Sequence, residues 1–257
     1  MNGTQRIQDH FHAQKAFVAY LTAGDGGIQR TLDAALALIA GGVNMLEIGV
    51  PFSDPIADGP VIQRAATRAL MAKTTLKDVL WLAQQIRQYS TIPLILFSYL
   101  NPILAAMKGA FFQEAQDAGI DGALLVDCPL EESVHFHEQC NNHHLAPIYV
   151  ITPTTSTRRI QDIDAQGNGF LYYACRKGTT GIKSDLPSDF ADNMQRIKSV
   201  AHLPIVAGFG ISTPQSAAAV CQHADGVVIG SLFVKALEEG MTLQALTALA
   251  QRLNPIV

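Results

Sequence analysis

The sequence predicts an α/β protein, a (β/α)8 TIM barrel with extra helices on the side of the βα loops. Two observations predict this fold. Eight short runs rich in β-branched and aromatic residues recur along the chain, and segments with helical periodicity lie between them. Strands that alternate with helices indicate βαβ units and a parallel sheet. Eight units in 257 residues fit a closed barrel better than an open doubly wound sheet, so we expect a single barrel domain over residues 1–257.

The predicted strands are, in chain order, FVAYLT (17–22), NMLEIG (44–49), PLILFSY (93–99), GALLVD (122–127), APIYVI (146–151), GFLYYA (169–174), LPIVAG (203–208) and DGVVIG (225–230). Segments such as RTLDAALALIAGG and TLKDVLWLAQQIRQY place apolar residues at i, i+3, i+4 and i+7, which predicts helices between the strands. The long gap between the second and third strands has room for an additional helix, PVIQRAATRALMA (60–72), ahead of the regular one. Extra structure on this side of a barrel usually contributes to a site.

The composition argues against several classes of function. The chain has 18 Lys and Arg against 22 Asp and Glu, for a net charge of -4 without a basic run, so nothing electrostatic favours nucleic acid or a membrane surface. The longest apolar stretch, LDAALALIAGGV, is shorter than the roughly 18 residues that cross a bilayer. The cysteines lie far apart without CxxC spacing, which predicts no disulfide and a reducing, cytoplasmic location: Cys128, Cys140, Cys175 and Cys221.

The stretch EIGVPFSDPIADGP (47–60) places three carboxylates after a predicted buried strand. Side chains alternate along a strand, so Leu46 and Ile48 share the helix-covered outer face while Glu47 points into the barrel. Glu47 also lies near the carboxyl end of its strand, where enzymes of this architecture place catalytic groups. A structural ion pair is the alternative, but no predicted strand core contains a Lys or Arg to pair with it. We therefore predict that Glu47 is catalytic.

Asp54 and Asp58 belong to the loop that follows this strand. Both occur in ordinary turn chemistry, since Asp caps backbone groups and Pro fixes φ. Asp58 precedes a Gly and a Pro that begins a helix, an arrangement that can hold its side chain over the barrel mouth. From the residues alone, the two aspartates are equally good candidates for a structural role.

Two later strand ends have the pattern of an anion site. VAGFGIST (206–213) and VVIGSLFV (227–234) end strands seven and eight with glycines just before predicted helix starts. Backbone N–H groups and the partial positive charge of a helix N-terminus hold phosphate without a basic side chain, and barrels often bind phosphate at these two loops. A third glycine loop, CRKGTTGIKSDLP (175–187), is long and polar, and we expect it to be a lid.

The histidines do not predict a metal site. His10, His12, His135, His137, His143 and His144 occur in the polar N-terminus or on predicted helices, and none pairs with a Cys at ligand spacing. The sequence also lacks a catalytic serine elbow, a Walker loop and a dinucleotide fingerprint.

The motifs together resemble the tryptophan synthase alpha subunit family over essentially the whole chain. The resemblance is carried, in the family's order, by FVAYLTAGDG, LEIGVPFSDPIADGPVIQ, SYLNPIL, LLVDCPLEES, GTTG, GFGIS and VIGS, of which the second is highly specific. The resemblance implies cleavage of indole-3-glycerol phosphate to indole and glyceraldehyde 3-phosphate. It further implies that Glu47 is the general acid and base and that Asp58 stabilises the indole N–H, while Asp54 is left to the loop.

Further residues carry over one at a time from the family's motifs. The resemblance implies substrate-binding roles for Tyr99, Tyr172, Thr180 and Phe209. It implies phosphate contacts for Gly181, Gly210, Gly230 and Ser231. The sequence departs from the family pattern at Tyr20, where many relatives have Phe or another apolar residue, so a hydroxyl is added near the expected indole site.

The resemblance also implies a partner and excludes a resident cofactor. The family's alpha subunit binds a pyridoxal phosphate-dependent beta subunit, and an α2β2 assembly is expected; this chain itself shows no pyridoxal phosphate site.

A stand-alone lyase that releases free indole is a second hypothesis. A scaffold that only activates a partner would have lost the acids, and an aldolase or isomerase barrel would need a Schiff-base Lys or a metal set inside a strand, which the sequence does not show.

Overall fold

A closed barrel of eight parallel strands forms the centre of the molecule. The computed structural model describes residues 2–106, 110–175, 186–208 and 210–256. The strands pair in chain order, and β8 returns to β1 to close the barrel. They are β1 (Ala16–Thr22), β2 (Met45–Gly49), β3 (Leu94–Ser98), β4 (Gly122–Leu125), β5 (Ala146–Ile151), β6 (Leu171–Ala174), β7 (Ile205–Gly208) and β8 (Gly226–Ile229). The predicted fold is confirmed, and each predicted strand end lies within two residues of the observed one.

The helices surround this barrel. Within the described ranges they are α1 (Gly3–Ala13), α2 (Ile28–Ala40), α3 (Pro60–Met71), α4 (Leu76–Arg87), α5 (Leu100–Ala106), α6 (Phe111–Asp117), α7 (Val134–Asn142), α8 (Thr157–Gln166), α9 (Phe190–Lys198), α10 (Pro214–His223), α11 (Ser231–Glu238) and α12 (Leu243–Leu253). The predicted additional helix between the second and third strands is α3, which Pro60 begins. Two short helices, α5 and α11, also start directly after strand ends, so the βα side carries the extra structure.

Alternation along the strands separates two hydrophobic layers. One side of each strand faces the lumen, which is filled by side chains such as Val18, Met45, Ile95, Leu124, Ile148, Val206 and Val228. The other side packs under the helices, where Leu46 and Ile48 are buried. Helix α1 closes the amino-terminal end of the barrel, with Ile7 fully buried against the lumen layer. Burial of one such side chain stabilises the fold by about 1.5–3 kcal/mol, so the closed end of the barrel is firmly packed.

A buried carboxylate fastens α1 and α4 across that closed end. Asp121 is fully buried and accepts hydrogen bonds from the guanidinium groups of Arg6 and Arg87 and, at 2.8 Å, from the backbone N–H of Leu94. Paired in this way, the charge avoids the large penalty of an isolated buried ion. The cluster lies at the end of the barrel opposite the βα loops, which leaves those loops to form a site.

In the described part of the chain, no helix combines the length and apolar character needed to cross a bilayer.

Candidate active site

The carboxyl ends of the strands surround a pocket that contains both predicted catalytic acids. The pocket contains about 480 Å³ of empty space, part of which is open to solvent. Its lining comes from six strands or their following loops together with α3 and α11: Tyr20, Glu47, Asp58, Ile62, Phe97, Tyr172, Gly210, Ile211, Val228, Gly230 and Ser231. The pocket is therefore apolar and aromatic on most sides, with two carboxyls inside it.

Glu47 projects into the lumen from β2, on the face that alternation predicts. It stands opposite Tyr20 of β1 in the strand register and is only 1% exposed. Its Oε1 atom is buried and has no hydrogen-bond partner among the described residues. Burial without a partner disfavours the charged form and raises the pKa of Glu47 to about 8. At neutral pH this carboxyl holds a proton that it can donate.

Asp58 reaches the same pocket from the loop between β2 and α3. It is 4% exposed, and its carboxylate accepts a hydrogen bond from the Tyr99 hydroxyl at 3.0 Å. Gln63 on α3 donates to the Asp58 backbone carbonyl at 2.8 Å, which ties the loop to the helix. Burial raises the pKa of Asp58 to about 6, and the bond from Tyr99 opposes that rise. Where two neighbouring carboxyls have different pKa values, the one with the higher pKa commonly acts as the proton donor and the other as the ionised carboxylate.

Aromatic side chains form the wall beside the two acids. The ring of Tyr20 meets that of Phe97 edge to face, with centroids 5.2 Å apart. A Cβ atom at Gly49 would lie 2.2 Å from the Tyr20 hydroxyl, and one at Gly208 would lie 2.5 Å from the Tyr172 hydroxyl. A side chain at either glycine would therefore displace a tyrosine ring from its observed position. Burial also raises the pKa values of Tyr20 and Tyr172, and both hydroxyls keep their protons at neutral pH.

The far side of the pocket has the elements of a phosphate site. Gly210, which follows β7, has φ of 82°, a left-handed conformation that glycine adopts without strain. Gly230 immediately precedes α11, and Ser231 is its first residue. The open N–H groups and partial positive charge of that helix end favour an anion, and Ser231 adds a hydroxyl donor. These three residues all line the pocket with the acids.

The structure brings together most of the residues that the sequence singled out. Glu47, Asp58, Tyr172, Gly210, Gly230 and Ser231 share one pocket. Tyr99 is not part of the lining and reaches the pocket through its bond to Asp58. Asp54 is exposed and accepts a 2.5 Å bond from its neighbour Ser53, so its surroundings are those of a turn residue. Thr180, Gly181 and Phe209 lie outside the described residues, as does the 176–185 part of the predicted lid.

Sequence reasoning missed the apolar lining contributed by Ile62, Ile211 and Val228. Apolar residues do not take part in catalysis, so no sequence motif marks them. Ile62 could have been predicted to line the pocket, because it lies in the first turn of α3, four residues after Asp58. The described ranges contain no group of three His, Cys, Asp or Glu side chains that could hold a metal ion.

Comparisons with known proteins show the family to which the chain belongs. The family model of the tryptophan synthase alpha chain matches residues 7–254. A tryptophan synthase alpha chain of Coxiella burnetii is 54% identical over 250 residues, which is 97% of each chain. Among solved structures, the alpha subunit of Legionella pneumophila has a TM-score of 0.88 at 38% identity, covering 98% of this chain and 97% of that one. Tryptophan synthase of Mycobacterium tuberculosis has a TM-score of 0.89 at 31% identity, covering 97% and 96%. The protein described here therefore belongs to the tryptophan synthase alpha chain family.

Proposed function

We propose that this chain is a carbon–carbon lyase that cleaves indole-3-glycerol phosphate to indole and glyceraldehyde 3-phosphate. The observation that carries the proposal is the placement of two buried carboxyls, Glu47 and Asp58, in one aromatic pocket, where burial raises the pKa of both. The N-terminal end of α11, whose open N–H groups favour an anion, lines the same pocket, which suits a substrate with an aromatic ring at one end and a phosphate at the other. Membership of the tryptophan synthase alpha chain family supports this reaction.

The proposed reaction uses the two carboxyls in turn. Glu47 donates its proton to the ring carbon that carries the glycerol chain, so positive charge develops at the indole nitrogen. The Asp58 carboxylate accepts a hydrogen bond from that N–H and stabilises the charge. The Glu47 carboxylate then removes the proton from the hydroxyl on the adjacent glycerol carbon. The carbon–carbon bond breaks, its electron pair restores the aromatic ring, and an aldehyde forms. Glu47 ends protonated, and no proton is gained or lost overall.

The proposal extends to a partner and to the place of the reaction. A pyridoxal phosphate-dependent beta subunit would receive the indole, in an α2β2 assembly, and the cofactor would belong to that subunit alone. Membership of the family and the likeness to tryptophan synthase of Mycobacterium tuberculosis support this partnership. Ile56 in the loop that carries Asp58 is 77% exposed, an apolar position suited to a protein contact. We place the reaction in the cytoplasm.

The pH dependence of kcat/KM for indole release is expected to be bell-shaped. Asp58 must be ionised, and its pKa is about 6; Glu47 must be protonated, and its pKa is about 8. The rate therefore decreases at pH values below the pKa of Asp58 and at pH values above the pKa of Glu47. The substrate phosphate also titrates near pH 6, so the acidic limb is assigned by comparing variants at Asp58 with the wild type. A rate that keeps rising from pH 8 to 10 would contradict the role of Glu47 as the proton donor.

Ser231→Asp is expected to raise KM for indole-3-glycerol phosphate by about tenfold or more, because the new carboxylate repels the substrate phosphate at the start of α11. The value of kcat should change much less, since Ser231 does not touch the reacting atoms. Ser156→Asp is the matched control: it places the same charge at the exposed N-cap of α8, where Asp is a good cap. An unchanged KM in Ser231→Asp would rule out the phosphate site at α11.

The experiment that tests the proposed function is a measurement of indole release by the purified chain, alone and with a tryptophan synthase beta subunit. Indole formed only, or faster, with the beta subunit supports the partnered enzyme. Rapid release by the chain alone, with no acceleration by the partner, favours the stand-alone lyase. An absence of indole under both conditions would refute the proposed reaction.

A further inference from the structure

Tyr99 joins the loop that carries Asp58 to the rigid end of the barrel. It follows the last residue of β3 and is only 3% exposed. Its ring packs against that of Phe52 in the loop, with centroids 5.1 Å apart and planes 31° apart. Its hydroxyl lies 3.0 Å from the backbone nitrogen of Ala57 and 3.0 Å from Oδ2 of Asp58. One side chain therefore contacts the loop at its beginning and at its end.

The direction of these two hydrogen bonds is fixed by chemistry. A backbone N–H can only donate, so the Tyr99 oxygen accepts from Ala57. The single phenolic proton is then available for the Asp58 carboxylate, which can only accept when ionised. Burial raises the pKa of Tyr99, so this proton stays in place over the working pH range. The chain of bonds runs from the Ala57 amide through the phenol to the carboxylate, and each bond strengthens the next.

Tyr99 is itself held on both sides. Ser98, the last residue of β3, donates its hydroxyl to the Tyr99 carbonyl at 2.9 Å. On the following residue, the Leu100 N–H donates to the Asp127 carboxylate, beyond β4, at 2.7 Å. The loop residues Ser53, Asp54 and Ile56 are exposed, by contrast, and make no comparable contact with the strand ends in the described structure. Tyr99 thus provides a fixed point for a loop that is otherwise at the surface.

We propose that Tyr99 is a positioning residue of the lyase reaction: its phenol fixes the Asp58 carboxylate, and so directs the carboxylate's other acceptor sites to the indole N–H. This inference rests on the proposed function and changes the role of Tyr99 from contact with substrate to support of a catalytic group. A carboxylate offers about four acceptor sites, of which the phenol takes one. Because the charge at the indole nitrogen exists only during the reaction, a well-placed carboxylate raises kcat more than it tightens binding.

The hydrogen bond from Tyr99 also favours the ionised form of Asp58. The other titratable groups that face Asp58 in the pocket are Glu47 of β2, Tyr20 of β1 and Tyr172 of β6, and burial keeps all three neutral near pH 7. The donated proton of Tyr99 favours the ionised carboxylate against the effect of burial. Removal of the hydroxyl should raise the pKa of Asp58.

Tyr99→Phe tests the proposal, since it keeps the ring that packs on Phe52 and removes only the hydroxyl. We expect kcat for indole release to fall by about 10- to 100-fold. The Kd of an inert analogue, with hydrogens in place of the glycerol hydroxyls, should stay within about threefold. The acidic limb of the pH profile should move to higher pH. Tyr149→Phe is the control, because it removes another buried phenol, bonded to Ser133 at 3.1 Å, and should change none of these values.

A double-mutant cycle separates positioning from packing. In an Asp58→Asn background, Tyr99→Phe should cost less than about threefold in kcat, since the group that it positions has lost its charge. Equal losses in both backgrounds, or wild-type kcat and pH profile in Tyr99→Phe, would overturn the inference while leaving the lyase assignment intact. A ¹³C NMR titration of the Asp58 carboxyl gives a reading that needs no turnover: an Asp58 pKa that does not rise in Tyr99→Phe would also overturn it. An absence of indole from the wild type would instead refute the proposed function.

Discussion

Glu47→Gln is expected to lower kcat for indole release by about 10²- to 10⁴-fold, because glutamine has nearly the same shape but can neither donate nor accept the proton that moves twice in the reaction. The change removes no hydrogen bond from Oε1, which has no partner among the described residues. The inert analogue should therefore bind to the variant about as tightly as to the wild type. Measurement of kcat and of the analogue's Kd on the purified variant tests both points.

The folded state of this variant can be checked through its stability. The pKa of Glu47 rises from 4.5 to about 8 on folding, so the folded state holds a proton that the unfolded state loses between these values. The wild type is therefore destabilised progressively from pH 4.5 to pH 8, by up to about 5 kcal/mol in total. Glutamine does not titrate, so the free energy of unfolding of Glu47→Gln should exceed that of the wild type increasingly over this range. An inactive variant with this behaviour is not an unfolded one.

Glu138→Gln is the matched control for this experiment. Glu138 is an exposed carboxyl on α7, and its substitution should leave kcat unchanged. Indole release by Glu47→Gln at the rate of this control would show that Glu47 is not the acid.

Asp58→Asn is expected to lower kcat by about 10²- to 10³-fold, because the carboxamide carries no charge to stabilise the developing cation. Asparagine keeps an oxygen that accepts the bond from Tyr99, so the loop should stay in place. The acidic limb that Asp58 contributes to the pH profile should disappear, leaving only the titration of the substrate phosphate. Steady-state kinetics from pH 5 to pH 9, in steps small enough to define each limb, measure both effects.

Asp54→Asn gives the comparison that separates the two loop acids. Asp54 is exposed and bonded to Ser53, and its charge lies outside the pocket lining. In the assay of the chain alone, this variant should keep kcat within about twofold, as surface charges usually contribute little. A large loss in Asp54→Asn with little loss in Asp58→Asn would reverse the assignment.

The strand pattern and its alternation predicted much of this architecture, because both depend on short-range periodicity. Alternation along β2 was enough to place Glu47 in the lumen, since Leu46 and Ile48 had to face the helices. The tie between Asp54 and Asp58 could not be broken from local sequence. The structure distinguishes the two aspartates, because Tyr99 donates a hydrogen bond to Asp58. Tyr99 lies 41 residues from Asp58 along the chain and reaches it only in the closed barrel.

Other features also required the three-dimensional structure. The sequence placed Tyr99 within a strand, whereas β3 ends at Ser98 and the Tyr99 hydroxyl is directed to the loop. Asp121 joins Arg6, Arg87 and the start of β3 at the closed end of the barrel. No local sequence motif predicts these long-range hydrogen bonds. Local sequence patterns do not predict such contacts between residues that are far apart in the chain.

The most direct test of the proposed reaction is indole formation from indole-3-glycerol phosphate in D₂O, with and without a beta subunit, by the wild type and by Glu47→Gln. We expect the wild type to form indole with one carbon-bound deuterium per molecule, because the proton that Glu47 delivers to the ring exchanges with solvent. Glu47→Gln should form almost no indole. Indole without carbon-bound deuterium, or equal amounts of indole from the two proteins, would contradict the role of Glu47 as the proton donor.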